Sequence, residues 1–377
     1  VLKNQPDWTY SPVPAVEKAV RDIREKYPAD YPACLERVRS FLEKLGNPHQ
    51  RLPFIFHVAG TNGKGSTLAF LQAVFEAGGL SVHKFTSPHL VRFEERIVVA
   101  GKMIGPDLLL GLIRECDRAE GAVSFFEFFT VLAFLAYARA PAEALLLETG
   151  LGGLYDATNV VGGQRLVSLL TRISYDHTHI LGATLAEIAA SKAGIIKPCR
   201  PCIIAPQTAE ALDVFLAMAK TVDAPACIYG RDWKVTSGEK TFEYGSTRNT
   251  FRLPLPYLPG RHQLDNAGTA LAALENSPYA SLLRQPVLEK AMLNVRWPGR
   301  LQRLTEGSLA RLLPPGWELW LDGAHNDSGA AVLAEQAKTW GKAKPLHLVT
   351  AMKKNKDAAG FYQLLLPHAA TMQAVDV

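Results

Sequence analysis

The run Gly60-Thr61-Asn62-Gly63-Lys64-Gly65-Ser66-Thr67 limits what this chain can fold into more than any other feature. FIFHVA (54–59), a short dense apolar strand, leads into it, and LAFLQAVFEAG follows at helical spacing. Strand, Gly-rich turn, helix is the order a phosphate-binding loop requires. The glycines let the backbone turn tightly and point its N–H groups inward. The helix N-terminus adds partial positive charge. Lys64 has the reach for outer phosphates, and Ser66 or Thr67 can ligate magnesium. The loop departs from the common spacing: only Thr61 and Asn62 separate Gly60 from Gly63-Lys64, and Gly65 intervenes before Ser66. A nucleoside triphosphate and Mg²⁺ are implied.

Around this loop the chain alternates strands and helices, which makes the first large unit α/β. LLLET (145–149) and LVSLLTRI (166–173) are continuous apolar runs, favouring a parallel, doubly covered sheet. AEIAASKAG (186–194), ALDVFLAMAKTV and His262–Leu274 read as helices, and PCIIAP (201–206) as a strand. Helices are also expected over Val16–Tyr27, in an otherwise irregular arm of residues 1–32, and at Leu35, Val38, Phe41, Leu42 and Leu45. Residues 228–260 alternate and carry turn signals, so small antiparallel strands are expected there. NVRWPGR (294–300) reads as a boundary. ELWLDGAHN, AVLAEQAKTW and LHLVTAM then start a second strand–helix series. The last segment, MQAVDV, reads as a strand with nothing after it, and an incomplete second unit is expected. The expected division is therefore residues 1–295 and 296–377.

Length and composition narrow the class. A chain of 377 residues with 48% hydrophobic and 20% charged residues is globular and multidomain. No apolar run reaches bilayer length. The opening VLKNQPDWTYSPVP is too polar for a signal peptide, and five cysteines do not suggest a disulfide scaffold. A reducing, cytoplasmic compartment is expected, and a monomer. The net charge of +5 comes from scattered residues, so a few cations in a phosphate or carboxylate pocket account for it as well as a polyanion would.

Several residues outside the loop carry chemistry. Glu148 ends a buried strand, where parallel sheets open their sites, and suits magnesium. His177 also follows a strand end; a second metal ligand and a structural histidine both remain open. Asp156 and Asn159 lie in a Gly-rich segment, to position substrate or to brace the loop. Lys192 sits late in a helix, where a cation is favourable by itself, so capping and chemistry are both open. Cys199-Arg200-Pro201-Cys202 has metal-like spacing but no second pair, which argues against zinc.

Taken together, HVAGTNGKGST, TSPHLVRFEERI (86–97), SFFEFFT (124–130), ETGLGGLYDATNV (148–160), SYDHTHILGATLAEIAASKAGIIKP (174–198), GRHQLDNAGTALAAL (260–274), WPGRLQ (297–302) and LDGAHN (321–326) resemble the folylpolyglutamate synthase / dihydrofolate synthase family. That family belongs to the ATP-dependent Mur-type ligases. The resemblance runs over residues 35–375. It implies a P-loop ATPase-like domain of mostly parallel sheet with a small antiparallel sub-sheet, plus a smaller Rossmann-like domain. It implies an ATP-dependent carboxylate–amine ligase that adds L-glutamate to dihydropteroate or to a reduced folate through an acyl phosphate.

Each site residue carries over by motif. Ser66 and Glu148 would hold the magnesium beside ATP, and His177 a second one. Lys192 matches a lysine that family members carbamylate, a change from cation to anion. Asn266 and Arg300 match nucleotide contacts, and Asp322 and His325 match the second domain's share of the ATP site. Ser87, His89, Phe126 and Glu127 match the folate side, although the neighbouring phenylalanines also fit a core. Two departures stand out: Leu154-Tyr155 precedes Asp156 where the family has Arg-Leu, and Asp327 follows Asn326 where it has Pro. A cell-wall Mur ligase is disfavoured by TSPHL and HQLDNA. A non-catalytic nucleotide module is disfavoured by intact Lys64, Glu148, His177 and Lys192. A nucleic-acid ATPase lacks its basic stripe with interleaved aromatics.

Overall fold

The computed structural model describes residues 9–27, 34–163, 165–340, 344–353 and 356–375. Parts of the expected N-terminal arm (1–8 and 28–32), residue 33 and the end of the last expected strand (376–377) lie outside the described residues. The main sheet holds β1 (Phe54–Ala59), β2 (Val82–Phe85), β3 (Ile97–Val99), β4 (Lys102–Met103), β5 (Ala144–Glu148), β6 (Leu166–Leu170), β7 (Cys202–Ile204) and β8 (Ala226–Ile228). Their order is β4-β3-β2-β5-β1-β6-β7-β8. From β2 through β5, β1, β6 and β7 to β8 neighbouring strands pair in parallel, while β3 pairs antiparallel with both β2 and β4. The helices described here are α1 (Pro14–Lys26), α2 (Leu35–Lys44), α3 (Lys64–Ala77), α4 (Pro106–Arg118), α5 (Phe125–Tyr137), α6 (Thr178–Leu181), α7 (Leu185–Ala193), α8 (Ala209–Thr221), α9 (Arg261–Glu275) and α10 (Gln285–Asn294).

Strand alternation divides the core between the two faces of the sheet. Phe56 and Val58 of β1 and Leu146 of β5 point into a cluster with α3, α9 and α10. Ile55, Leu145 and Leu147 point the other way, towards α1, α2, α4 and α5. A third cluster packs α7 and α8 against Leu170, Cys202 and Ile204. Both faces are covered, which is why these strands read as unbroken apolar runs. The expected antiparallel strands are β9 (Trp233–Ser237), β10 (Thr241–Ser246) and β11 (Thr250–Pro254). They form a separate sheet whose Trp233, Tyr244 and Leu253 join the α9–α10 core.

Beyond the WPGR segment lie α11 (Ser308–Arg311), α12 (Asp327–Trp340), α13 (Ala358–Leu365), and two small sheets. β12 (Gln302–Leu304) pairs antiparallel with β13 (Leu319–Leu321), and β14 (His347–Thr350) pairs parallel with β15 (Thr371–Ala374). The core here is small: Ala330, Ala334, Phe361 and Leu365 are its buried members among the described residues. Among the described residues no helix is long and apolar enough to cross a membrane.

One expected substrate residue takes a structural role. Glu127 is buried in the first turn of α5. It accepts from the Ser124 N–H at 2.7 Å, while Ser124 Oγ accepts from the Glu127 N–H, a reciprocal cap. Its carboxylate also takes two hydrogen bonds from Arg37, at 2.7 and 3.0 Å, which ties α5 to α2. A carboxylate so engaged braces the start of α5 against α2. Glu127→Ala removes the cap and the carboxylate partner of Arg37 together. Urea unfolding should show a loss of about 2–4 kcal/mol.

Candidate active site

The chain leaves β1 towards β2 on one side of the sheet and later reaches β6 on the other. Ligand crevices in open parallel sheets form at such reversals, beyond the carboxyl ends of the strands. Three segments meet there: the loop after β1, the end of β5 and the loop after β6.

The loop after β1 is held from below. Thr61 and Asn62 N–H groups donate to the Arg172 carbonyl, and Thr61 Oγ1 donates to the Ser174 carbonyl. Gly63 sits at φ 93°, a left-handed value that turns the chain into α3. Gly65 is closely overlaid: a Cβ there would stand 2.5 Å from the Trp297 ring. Asn266, on α9, brings its Oδ1 within 2.4 Å of where a Gly63 Cβ would lie, beside the loop. Lys64 Nζ donates to the carbonyls of Gly60 and Thr61 and lies 3.9 Å from Glu148 Oε1. Ser66 and Thr67 are buried in the first turn of α3; among the described residues Thr67 Oγ1 has no hydrogen-bond partner and no side chain caps α3. An uncapped helix start with an orphaned buried hydroxyl fits a phosphate group and its cation.

Glu148 closes β5 and is buried, accepting from the Ser87 N–H at 3.3 Å. Burial pushes its carboxyl upward, against the opposing pull of Lys64 and then the Ser87 N–H. Lys192, on α7, is not a surface cap. It is buried, and its Nζ donates to the Gly60 carbonyl at 3.0 Å. Burial, with Lys64 adding to it, lowers its pKa to about 7. His177 begins α6 at φ 51°, with its ring partly exposed and 3.8 Å from Asp176. Among the described residues no three His, Cys, Asp or Glu side chains converge as a metal site. The donors that fit a cation beside the loop are therefore the Ser66 and Thr67 hydroxyls with Glu148, an oxygen set suited to Mg²⁺.

The segment after Trp297 closes over this crevice. His325 Nε2 lies 3.3 Å from Asp176 Oδ2, Asn326 Nδ2 donates to the same oxygen at 3.5 Å, and Lys356 pairs with Asp176 Oδ1. Asn326 and Asn62 exchange amide hydrogen bonds at 3.2 Å. Burial alone would raise the Asp176 carboxyl, but His325, Lys356 and His177 hold it well below the usual range. A cleft of about 310 Å³ opens here, lined by Asp176, His177, His179, His325 and Lys356 among others. Asp176 and Lys356 escaped the sequence reading. Asp176 stood beside His177 with no spacing signal of its own, and Lys356 is distant in sequence. Arg300 donates to its neighbour's carbonyl and bears electrostatically on Glu148. Asp322 accepts from the Leu301 and Ala324 N–H groups, one on each oxygen, so it ties the start of β12 to the turn that follows β13.

On the other flank, Asp156 resolves towards bracing. Its oxygens accept from the Gly150, Leu151 and Thr158 N–H groups and from Thr158 Oγ1. Asn159 ties the Leu154 and Gly194 carbonyls together. The Phe126 ring lies over Gly150, 2.4 Å from where a Cβ would be, while Phe128 and Phe129 are core. His89 Nδ1 accepts from Arg96 Nε at 2.9 Å. Of the two departures, Leu154 packs on Gly194, and Asp327 opens α12, where an acid suits the helix dipole.

Comparison with known proteins agrees with this geometry. The profile of the Mur ligase middle domain matches residues 58–274, which sets the class: an ATP-dependent Mur-type ligase. The dihydrofolate synthase/folylpolyglutamate synthase of Bacillus subtilis (strain 168) is 36% identical over 321 residues, 81% of this chain and 72% of the relative. A folylpolyglutamate synthase complex with AMPPCP and folate superposes with a TM-score of 0.81 at 28% identity, covering 96% of this chain and 88% of the other. A bifunctional folylpolyglutamate synthase/dihydrofolate synthase with Mn, AMPPNP and L-glutamate bound superposes with a TM-score of 0.80 at 28% identity, over 97% and 83%. The chain belongs to the dihydrofolate synthase/folylpolyglutamate synthase family.

Asp176 is the acceptor shared by His325, Asn326 and Lys356, beside the direct Asn62–Asn326 pair. Asp176→Asn should leave the fold of the main sheet intact but make cleavage near the Trp297–Arg300 segment about tenfold faster in limited proteolysis. An unchanged cleavage rate would sink that assignment.

Proposed function

We propose that this chain joins the amine of L-glutamate to a carboxylate of dihydropteroate, of a reduced folate's glutamate tail, or of both, at the expense of ATP. The observation that carries the reading is the convergence of Lys64, the orphaned Thr67 hydroxyl and the buried Glu148 on the loop after β1. In the proposed sequence a carboxylate oxygen of the acceptor attacks the γ-phosphorus, the bond to the β-bridging oxygen breaks, and ADP leaves. The glutamate nitrogen then attacks the acyl carbon and loses a proton. The tetrahedral intermediate expels phosphate and leaves an amide.

The physical demand is control of negative charge. The Lys64–Ser66 amides at the start of α3 and the ammonium of Lys64 neutralise the terminal phosphates. Ser66 and Glu148 would hold one Mg²⁺ and His177 a second, each supplying further positive charge where the two anions meet. Asn266 and Arg300 border the nucleotide, and His325 approaches it from the second unit. The division at 295/296 puts the WPGR hinge between the two halves of the site. Ser87, His89 and Phe126 border the acceptor's side, with Asp156 holding the glycine-rich turn beside it.

Lys192 is proposed to carry a carbamate. A neutral amine is the form that adds CO₂, and a lysine whose pKa is lowered to about 7 supplies it near neutrality. With ¹³C-bicarbonate, wild type should give a carbamate resonance that grows from about pH 6 to about pH 8, as the amine loses its proton. Lys192→Met should lack it, and a resonance retained in that variant would count against the assignment.

Phosphate release from MgATP tests the function itself. L-Glutamate with dihydropteroate, and L-glutamate with a reduced folate, should each be tried. Release with both makes the enzyme bifunctional, and release with the folate alone makes it a tail-extending synthase. Silence with both, nucleotide binding intact, overturns the reading. Lys64→Ala should lower turnover at saturating ATP by about 10²-fold or more.

A further inference from the structure

Lys84 is a cation with no part in the chemistry described so far. It stands in the middle of β2 and is only 9% exposed. An ammonium in such a place is costly and contributes nothing to strand pairing that an apolar side chain would not. Its Nζ donates to Gln72 Oε1, on α3, at 2.8 Å. It also stands 4.9 Å from the centroid of the Trp297 ring. The edge of that same ring covers Gly65, so the indole lies between the Lys84 ammonium and the phosphate loop. Three residues further on is Arg300, whose guanidinium approaches Gly323 in the turn leading to His325. In the other direction, β2 runs directly into Ser87, whose N–H donates to Glu148.

We propose that Lys84 is a positioning residue: its ammonium, anchored by Gln72, holds Trp297 down on Gly65, and this seats the hinge so that Arg300 faces the nucleotide. Lys84 thereby joins the strand that leads to the acceptor-side loop with the hinge that completes the nucleotide site. The inference rests on the reading of the loop as an ATP site, and not on which acceptor is used. Cation–π contacts form a fixed geometry at low cost when the cation is already desolvated. The Lys84–Trp297 contact meets that condition, because Gln72 supplies the polar partner.

The test is a double-mutant cycle on nucleotide affinity, read by calorimetry with MgAMPPNP on the full chain. Lys84→Met should weaken binding about tenfold, as should Trp297→Leu, and Lys84→Arg should stay within about twofold of wild type. If Lys84 acts through Trp297, adding Lys84→Met to Trp297→Leu should cost nothing more. Thermal melts check that each variant is folded, and Lys84→Gln carries the same comparison should Lys84→Met not fold. A folded Lys84→Met or Lys84→Gln variant that binds as wild type overturns the proposal, as do losses that multiply in the double variant. This readout is independent of turnover: the expected cycle with no phosphate release for any folate acceptor would support the Lys84 role while overturning the proposed function.

Discussion

The structure depends on how closely other elements crowd the backbone after β1. Asn266 comes in from α9 and Trp297 from the segment after α10, each to a distance at which a Cβ on Gly63 or Gly65 would collide. From beneath, the Arg172 carbonyl takes the Thr61 and Asn62 N–H groups. A loop with side chains at those glycines would hold these elements off by more than an ångström. The gap would open the core under α9 and move the hinge, since packed interiors transmit such displacements instead of absorbing them. The glycines therefore serve two ends at once, the turn of the loop and the docking of its neighbours.

That crowding also explains the electrostatics. With the loop roofed and floored, Glu148 and Lys192 lie away from water within the reach of Lys64. Burial moves each of them towards its neutral form, the carboxyl upward and the amine downward. Both are compensated through the loop, Glu148 by Lys64 and Lys192 by the Gly60 carbonyl. Burial thus disfavours the charged form of both groups. Such a state suits a pocket that must admit a triphosphate and a carboxylate and then neutralise them with bound cations. Asp176 shows the opposite behaviour. It is drawn fully into its anionic form because three groups converge on it, and it serves as the anchor of the closing segment.

Much of this was legible in the sequence, and the reason is local in each case. A strand buried on both faces must be a continuous apolar run, so β1, β5 and β6 announced a parallel sheet. A phosphate loop needs glycines, a lysine and hydroxyls in one short stretch, so Gly60–Thr67 announced the site. Glu148 was legible because the end of a buried strand is where such sheets open. The structural role of Glu127 was local too: the Ser124–Glu127 spacing that makes a cap stands in SFFEFFT.

What the sequence by itself determined is thus the set of elements and the chemistry of the loop, because short-range periodicity and composition encode them. Only the tertiary structure decided what each charged side chain does. Lys192 became a buried amine instead of a helix cap when α7 packed beside Gly60. Asp156 became a brace when the Gly150 and Leu151 amides turned towards it. Asp176 gained its partners from segments far along the chain, and Lys84 acquired a tryptophan from the hinge. Desolvation and hydrogen bonding depend on which atoms end up within a few ångströms, and sequence spacing carries no record of contacts between segments brought together by folding.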